Sequence, residues 1–195
     1  MNTTAPTPTD RILAGSLVLA PLTYLLADSL YAARGWDDPT AAVLHVLGAI
    51  GYTFVFLYVV ALLRDHPNWS AAVLVTGMVG VAGNVAYGFN TIHVSLGGVD
   101  LVDADGAATL VKPLGLVFVL ALLLTAIGLA VTGTAPRWAA LLIGIASVTW
   151  PASHIPNIAW LAVLTQVLLL VAFGGLYVTC RARVEPRVAT AGLAG

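Results

Sequence analysis

Long runs of apolar residues alternate along this chain with short polar breaks. A transmembrane helix needs about 20 predominantly apolar residues, and six runs approach or reach that length. Turn and capping residues separate the runs, as in Gly35–Thr40 and Arg64–Ser70. The pattern predicts six membrane-spanning helices with the bounds Ile12–Ala33, Ala41–Leu63, Ser70–Ile92, Leu110–Thr132, Trp138–Trp150 and Asn157–Thr179.

The composition agrees with a chain that lies mostly in lipid. Hydrophobic residues make up 59% of the sequence and charged residues only 9%, a balance that suits a bilayer better than water. We predict an all-α, polytopic integral membrane protein with one bundle over residues 11–181. A disordered tail is expected at residues 1–10 and a cytoplasmic tail at residues 182–195. The net charge of −1 argues against nucleic-acid binding, and the sequence leaves the oligomeric state open.

Positive charge is distributed unequally between the two ends of these helices. With the N-terminus in the cytoplasm, only Arg34 and Lys112 fall outside. The arginines that fall inside are Arg11, Arg64, Arg137, Arg181, Arg183 and Arg187. Because cytoplasmic loops are enriched in Lys and Arg, we predict that both termini are cytoplasmic. The helices then form three hairpins with extracytoplasmic tips, in a plasma membrane of the bacterial or archaeal type.

The fifth run differs from the others because it is short. Trp138–Trp150 has 13 residues, about 20 Å of helix, which is less than the hydrocarbon thickness. Pro151 and Pro156 follow it. Short, proline-broken spans often border binding sites. The alternative is a helix that is kinked at Pro151 and runs on to Ile155, and the sequence leaves both open.

Polar side chains inside the predicted helices concentrate near the extracytoplasmic end. A polar group in hydrocarbon needs a partner or a function, and helical spacing places Tyr24, Asp28 and Tyr31 on one face. Aromatic rings beside an acidic group suit a lipophilic, isoprenoid-like ligand. The residues predicted to bind it are Tyr24, Tyr31, Tyr52, Asn84, Tyr87, Asn90, His93, Lys112, Trp150, Asn157 and Trp160.

The candidates for acid–base catalysis are Asp28, His45 and His154. A carboxylate in the membrane must be paired or neutralised. One interpretation is a structural ion pair between Asp28 and either Lys112 or His45. The other is a desolvated carboxyl group that donates or accepts a proton on a bound molecule.

Three histidines near the outer face, His45, His93 and His154, could also suggest a metal or haem. Their spacing matches neither HxxxH nor HExxH, and hydrogen-bonded or proton-relay histidines fit the same positions. We predict no metal and no cofactor. The acidic segment Asp100–Asp105 lacks the bidentate Glu of an EF-hand, so we interpret it as a solvated loop or lid.

Several enzyme classes are disfavoured because their motifs are missing. No GxSxG is present, and no nucleotide-binding glycine loop follows a strand. We favour a membrane-embedded enzyme that performs acid–base chemistry, of the isomerase or cyclase type, on a lipophilic substrate. The alternatives are a non-enzymatic binder or transporter of a small molecule or ion, and a structural accessory subunit. Transport is disfavoured because the inner halves of the helices offer only Thr76, Thr125 and Gln166 as polar contacts.

Overall fold

A computed structural model describes residues 6–191, with side chains through residue 179. This part of the chain contains six α-helices and no strand, which confirms the all-helical class. The helices are α1 (Pro8–Arg34), α2 (Pro39–Leu62), α3 (Pro67–Ser95), α4 (Val111–Thr132), α5 (Arg137–His154) and α6 (Ala159–Ala191). A 3-10 turn, Gly106–Leu110, leads into α4. Residues 1–5 and 192–195 of the two expected tails lie outside the described residues.

The helices begin where capping residues satisfy their first N–H groups. In α1, the Asp10 N–H donates to Thr7 Oγ1 at 3.2 Å, and the Thr7 N–H donates to Asp10 Oδ2 at 2.8 Å. In α2, Asp38 accepts from the Ala41 N–H at 2.8 Å. The predicted starts at Ile12 and Ala41 are two to four residues late, because hydrophobicity marks the apolar run rather than the cap.

Five segments of the described chain are long and apolar enough to cross a membrane: α1, α2, α3, Gly106–Thr132 with α4, and Ala159–Thr179 of α6. The remaining helix, α5, has 18 residues, about 27 Å. It continues through Pro151 to His154, so its predicted end at Trp150 is wrong. The proline is accommodated inside the helix, as in the kinked alternative.

The six helices form a closed ring. Each helix packs against its neighbours in sequence, and α1 packs against α6. Five buried aromatic side chains fill the middle of the ring: Tyr24, Tyr52, Phe56, Phe118 and Phe173. Within this aromatic core, the Tyr52 ring lies 5.0 Å from Phe118 and 6.0 Å from Phe173, centroid to centroid. The bundle is therefore solidly packed at this level.

Glycines bring α3 close to α4. A Cβ atom at Gly80 would collide with the Phe118 backbone, and one at Gly83 would collide with the Leu114 backbone. Small residues allow helices in membranes to approach at such distances. The approach lets Asn84 of α3 donate through Nδ2 to a backbone oxygen of α4, at 3.3 Å. The close packing of α3 and α4 thereby fixes the side chain of Asn84, one of the predicted site residues.

Candidate functional site

Three buried polar side chains from different helices meet in the bundle. They are Asp28 of α1, His154 at the end of α5 and Gln166 of α6. The His154 Nε2 atom lies 3.2 Å from Asp28 Oδ2, and Gln166 Nε2 donates to the same oxygen at 2.9 Å. Asp28 is fully buried and Gln166 is 1% exposed. The predicted acid–base candidates Asp28 and His154 are thus brought together.

The positions of these three residues along their helices explain why their side chains come together. Asp28 lies six residues before the end of α1, about 9 Å along its axis. Gln166 lies seven residues into α6, about 10 Å. The shorter helix α5 ends at His154, and the 3.2 Å contact sets that end at the level of Asp28.

The contacts of His154 determine where its protons lie. Its Nδ1 atom is 3.0 Å from the Trp150 carbonyl oxygen and 2.9 Å from Ser153 Oγ, while Ser153 Oγ donates to that carbonyl at 2.8 Å. Because a carbonyl oxygen only accepts, Nδ1 is the donor. Nε2 then faces the Asp28 carboxyl group, and two lone pairs at this distance would repel. The pair therefore holds one proton, on either Nε2 or the carboxyl group, and the two atoms lie at ion-pair distance without the alignment of a hydrogen bond.

His45 belongs to a neighbouring group of aromatic and amide side chains. Its Nε2 atom is 3.5 Å from the Tyr24 hydroxyl, which donates to Asn84 Oδ1 at 3.3 Å. The Tyr31 and Tyr87 rings lie 6.4 and 5.6 Å from the imidazole, centroid to centroid. This arrangement differs from the predicted pairing of His45 with the α1 carboxylate, because His154 occupies that position.

A cavity of about 440 Å³ opens between α3, α4, α5 and the loop that precedes α4. We call it the outer cavity. The predicted site residues that line it are Asn84, Tyr87, Lys112, Trp150, His154 and Asn157. The Trp150 ring stacks on the His154 ring at 4.2 Å, with an interplanar angle of 8°. His154 therefore connects the outer cavity with the buried carboxyl group of Asp28.

Several buried polar atoms around this pair have no hydrogen-bond partner within the described part of the chain. They are Asp28 Oδ1, Gln166 Oε1, Trp150 Nε1 and the Tyr52 hydroxyl. Buried polar groups in proteins are almost always hydrogen-bonded. Of these four residues, Trp150 lines the outer cavity.

Lys112 does not pair with Asp28, so the ion pair between these two residues that the sequence suggested is wrong. Its Nζ atom lies 2.5 Å from Asp103 Oδ1, and both side chains are exposed. The reason is depth. Lys112 is the second residue of α4, whereas Asp28 lies about 9 Å inside the end of its helix. An exposed pair of this kind adds at most about 1 kcal/mol to stability.

Asn90 holds the acidic loop against α3. Its Nδ2 donates to Asp100 Oδ1 at 2.8 Å, and its Oδ1 accepts from the Leu101 N–H at 2.7 Å. Asp100 and Asp103 line the outer cavity. The loop therefore forms part of the cavity wall, and Asn90 acts by positioning this loop.

We expect Asn90→Ala to release this loop. Both hydrogen bonds to the side chain are lost, so amide hydrogen exchange at Leu101 should accelerate by roughly tenfold, the equivalent of one hydrogen bond. Ser95→Ala is the matched control, since Ser95 is exposed and bonds only to the Ile92 carbonyl of its own helix. Equal exchange at Leu101 in the two variants would contradict the assignment.

Two other predicted residues, His93 and Trp160, do not line the outer cavity. His93 is exposed and packs over Gly98, and Trp160 is 69% exposed. Asn157 lines the cavity from the α5–α6 connection, with a φ of 58°. It therefore does not begin the sixth helix as predicted, and α6 begins at Ala159. No group of three His, Cys, Asp or Glu side chains among the described residues could hold a metal ion.

Two residues of the site are not predicted from the sequence. The expected place of Gln166, in the inner half of the bundle, is wrong, because this side chain bonds to Asp28. Its position seven residues after the start of α6 could have revealed this. Trp36 stacks on Tyr31 at 5.5 Å and meets the His154 ring edge-on at 5.6 Å. A tryptophan between two helices is also typical of an interfacial anchor, so the sequence carries no clear signal for this contact.

Comparisons with known proteins assign no family. No family model matches the chain, and neither a curated protein nor a solved structure matches it.

Proposed function

We propose that this protein is a membrane-embedded enzyme that performs acid–base chemistry, of the isomerase or cyclase type, on a lipophilic substrate. The observation that carries the proposal is the buried Asp28–His154 pair, 3.2 Å apart, which reaches the outer cavity through the imidazole. Two groups that share one proton can deliver it to a substrate and later recover it.

Each residue of the pair has a distinct role in this proposal. The His154 ring lines the cavity, and it transfers the proton after turning Nε2 away from Asp28 and toward the substrate. Asp28 is fully buried, and its carboxyl group balances the charge of the imidazole as the proton moves. Gln166 orients the carboxyl group by donating to Oδ2. An isomerisation needs one proton added and one removed, so the pair returns to its starting state.

Aromatic side chains around the cavity favour an apolar, unsaturated substrate. Trp150 and Tyr87 line it, and Trp36 contacts the imidazole edge-on. Aromatic faces stabilise positive charge, which develops when a carbon–carbon double bond is protonated. The amide side chain of Asn157 would bind a polar end of the same molecule.

The two alternative functions have less support. A transporter needs a path through the bundle, and the aromatic core, with Tyr52, Phe56 and Phe173 fully buried, fills its middle. A purely structural role for the polar residues would be favoured by complete hydrogen bonding. Asp28 Oδ1 and Gln166 Oε1 instead have no partner in the described part of the chain.

A labelling experiment tests the proposal with a mixture of candidate substrates. The purified protein is incubated in deuterium oxide with lipids extracted from the membranes of the cells that make it. Protonation of carbon would leave deuterium in a product, which mass spectrometry detects. We expect labelled product with the wild type and with Asp65→Asn, whose carboxyl group is exposed. Asp28→Asn should lower the yield by roughly 100-fold or more, and equal yields from the two variants would contradict the proposal.

The proposal also includes an orientation, with the outer cavity on the extracytoplasmic side. In a Cys180→Ser background, single cysteines are introduced at Asp103 and at Asp65, two exposed positions in different loops. With intact cells and a membrane-impermeant maleimide, we expect labelling at position 103 only. Position 65 should react after permeabilisation. The reverse pattern would overturn the orientation inferred from the arginines.

A further inference from the structure

A second cavity, of about 660 Å³, lies between α4 and α5. Small residues create it, namely Ala126, Ala130, Ala140 and Gly144. The two helices approach closely at its floor, since a Cβ atom at Gly144 would lie 3.6 Å from the Ala126 Cβ, an ordinary van der Waals contact. The short side chains at this floor leave the groove open above them.

The groove is long, and its walls include exposed apolar side chains. On α5 it extends from Arg137 to Thr149, about 18 Å along the helix axis, which exceeds half of a hydrocarbon core of about 30 Å. Leu141 and Val148 in its wall are 63% and 64% exposed. These dimensions and this chemistry match one extended hydrocarbon chain.

One end of the groove carries a positive charge. Arg137 is the charged residue in its lining, and it forms no ion pair or hydrogen bond with a side chain in the described part of the protein. Trp138, beside it, is 47% exposed, as expected for a residue at the headgroup level. A ligand that complements this groove has an anionic head at Arg137 and an apolar chain along α5.

We propose that the groove between α4 and α5 binds an anionic phospholipid from the leaflet that contains Arg137. The guanidinium group contacts the headgroup phosphate, and one acyl chain lies against Ala126, Gly144 and Val148. This site is separate from the outer cavity, so it does not depend on the proposed enzymatic function.

Native mass spectrometry of the purified full-length chain tests the proposal. Phosphatidylglycerol and phosphatidylcholine with identical acyl chains are added in equal amounts. We expect the wild type to retain phosphatidylglycerol roughly fivefold better, as expected for one arginine at an anionic lipid. Arg137→Gln should abolish this preference. Gly144→Phe should lower retention of both lipids, because the ring occupies the groove.

Two control variants isolate the site. Arg64→Gln removes an exposed arginine that lies near Asp65 rather than at the groove, and it should keep the full preference. Gly144→Ala adds only a methyl group at an ordinary contact distance, and it should retain lipid like the wild type. Equal retention of the two lipids by the wild type would overturn the proposal. So would an equal loss of preference in Arg64→Gln and Arg137→Gln.

Discussion

Asp28→Ala is expected to lower the free energy of unfolding by roughly 3–5 kcal/mol, because it removes one partner of a buried pair. The change leaves His154 and Gln166 without the oxygen to which both are directed. Asp28→Asn should destabilise by less than Asp28→Ala, since an amide oxygen in the place of Oδ2 still accepts from Gln166. Titration of the unfolding transition in mixed detergent micelles measures both differences.

Asp65→Ala is the control, because it removes an exposed carboxylate in place of a buried one. Its side chain is 83% exposed, so the variant should unfold within about 0.5 kcal/mol of the parent. If Asp28→Ala behaved like Asp65→Ala, the buried pair would not contribute to stability. If Asp28→Asn destabilised as much as Asp28→Ala, the charge itself would be needed for folding.

The second large effect is expected at the contact between α3 and α4. Gly83→Ala would place a methyl group against the Leu114 backbone, and overpacking of this kind costs roughly 1–3 kcal/mol. Gly115→Ala, in the facing helix, meets no atom within 4 Å and should stabilise by up to about 1 kcal/mol through helix propensity. The same detergent titration compares them. Equal stability of the two variants would contradict the close approach of these helices.

The helical class follows directly from the sequence, because runs of apolar residues dominate the free energy of transfer to lipid. Helix ends are less well predicted. The apolar run of α1 begins at Ile12, but the capping box of Thr7 and Asp10 starts the helix four residues earlier. At the end of α5, hydrophobicity stops at Trp150 while the backbone hydrogen bonds continue to His154. Helix capping and the accommodation of a proline depend on local hydrogen bonds, so a hydropathy pattern does not predict where these helices end.

The sequence predicts the members of the site better than their pairings. Depth along each helix places Asp28 and His45 at one level, and helical spacing turns them inward. Which base meets the carboxylate depends on where α5 ends and how the ring closes between α1 and α6. These are tertiary properties, and the sequence therefore suggests Lys112 as a partner where the structure has His154 and Gln166.

Asp28 and His154 are expected to hold one proton between them beside the outer cavity. Nitrogen NMR of the protein in bilayers, with isotope-labelled histidine, detects where this proton lies. The chain has four histidines, so His154→Gln identifies the signal of His154 by its loss. We expect Asp28→Asn to shift the Nε2 resonance of His154 toward that of a neutral imidazole, with little change at Nδ1. Identical His154 spectra in the wild type and in Asp28→Asn would show that the pair does not hold this proton.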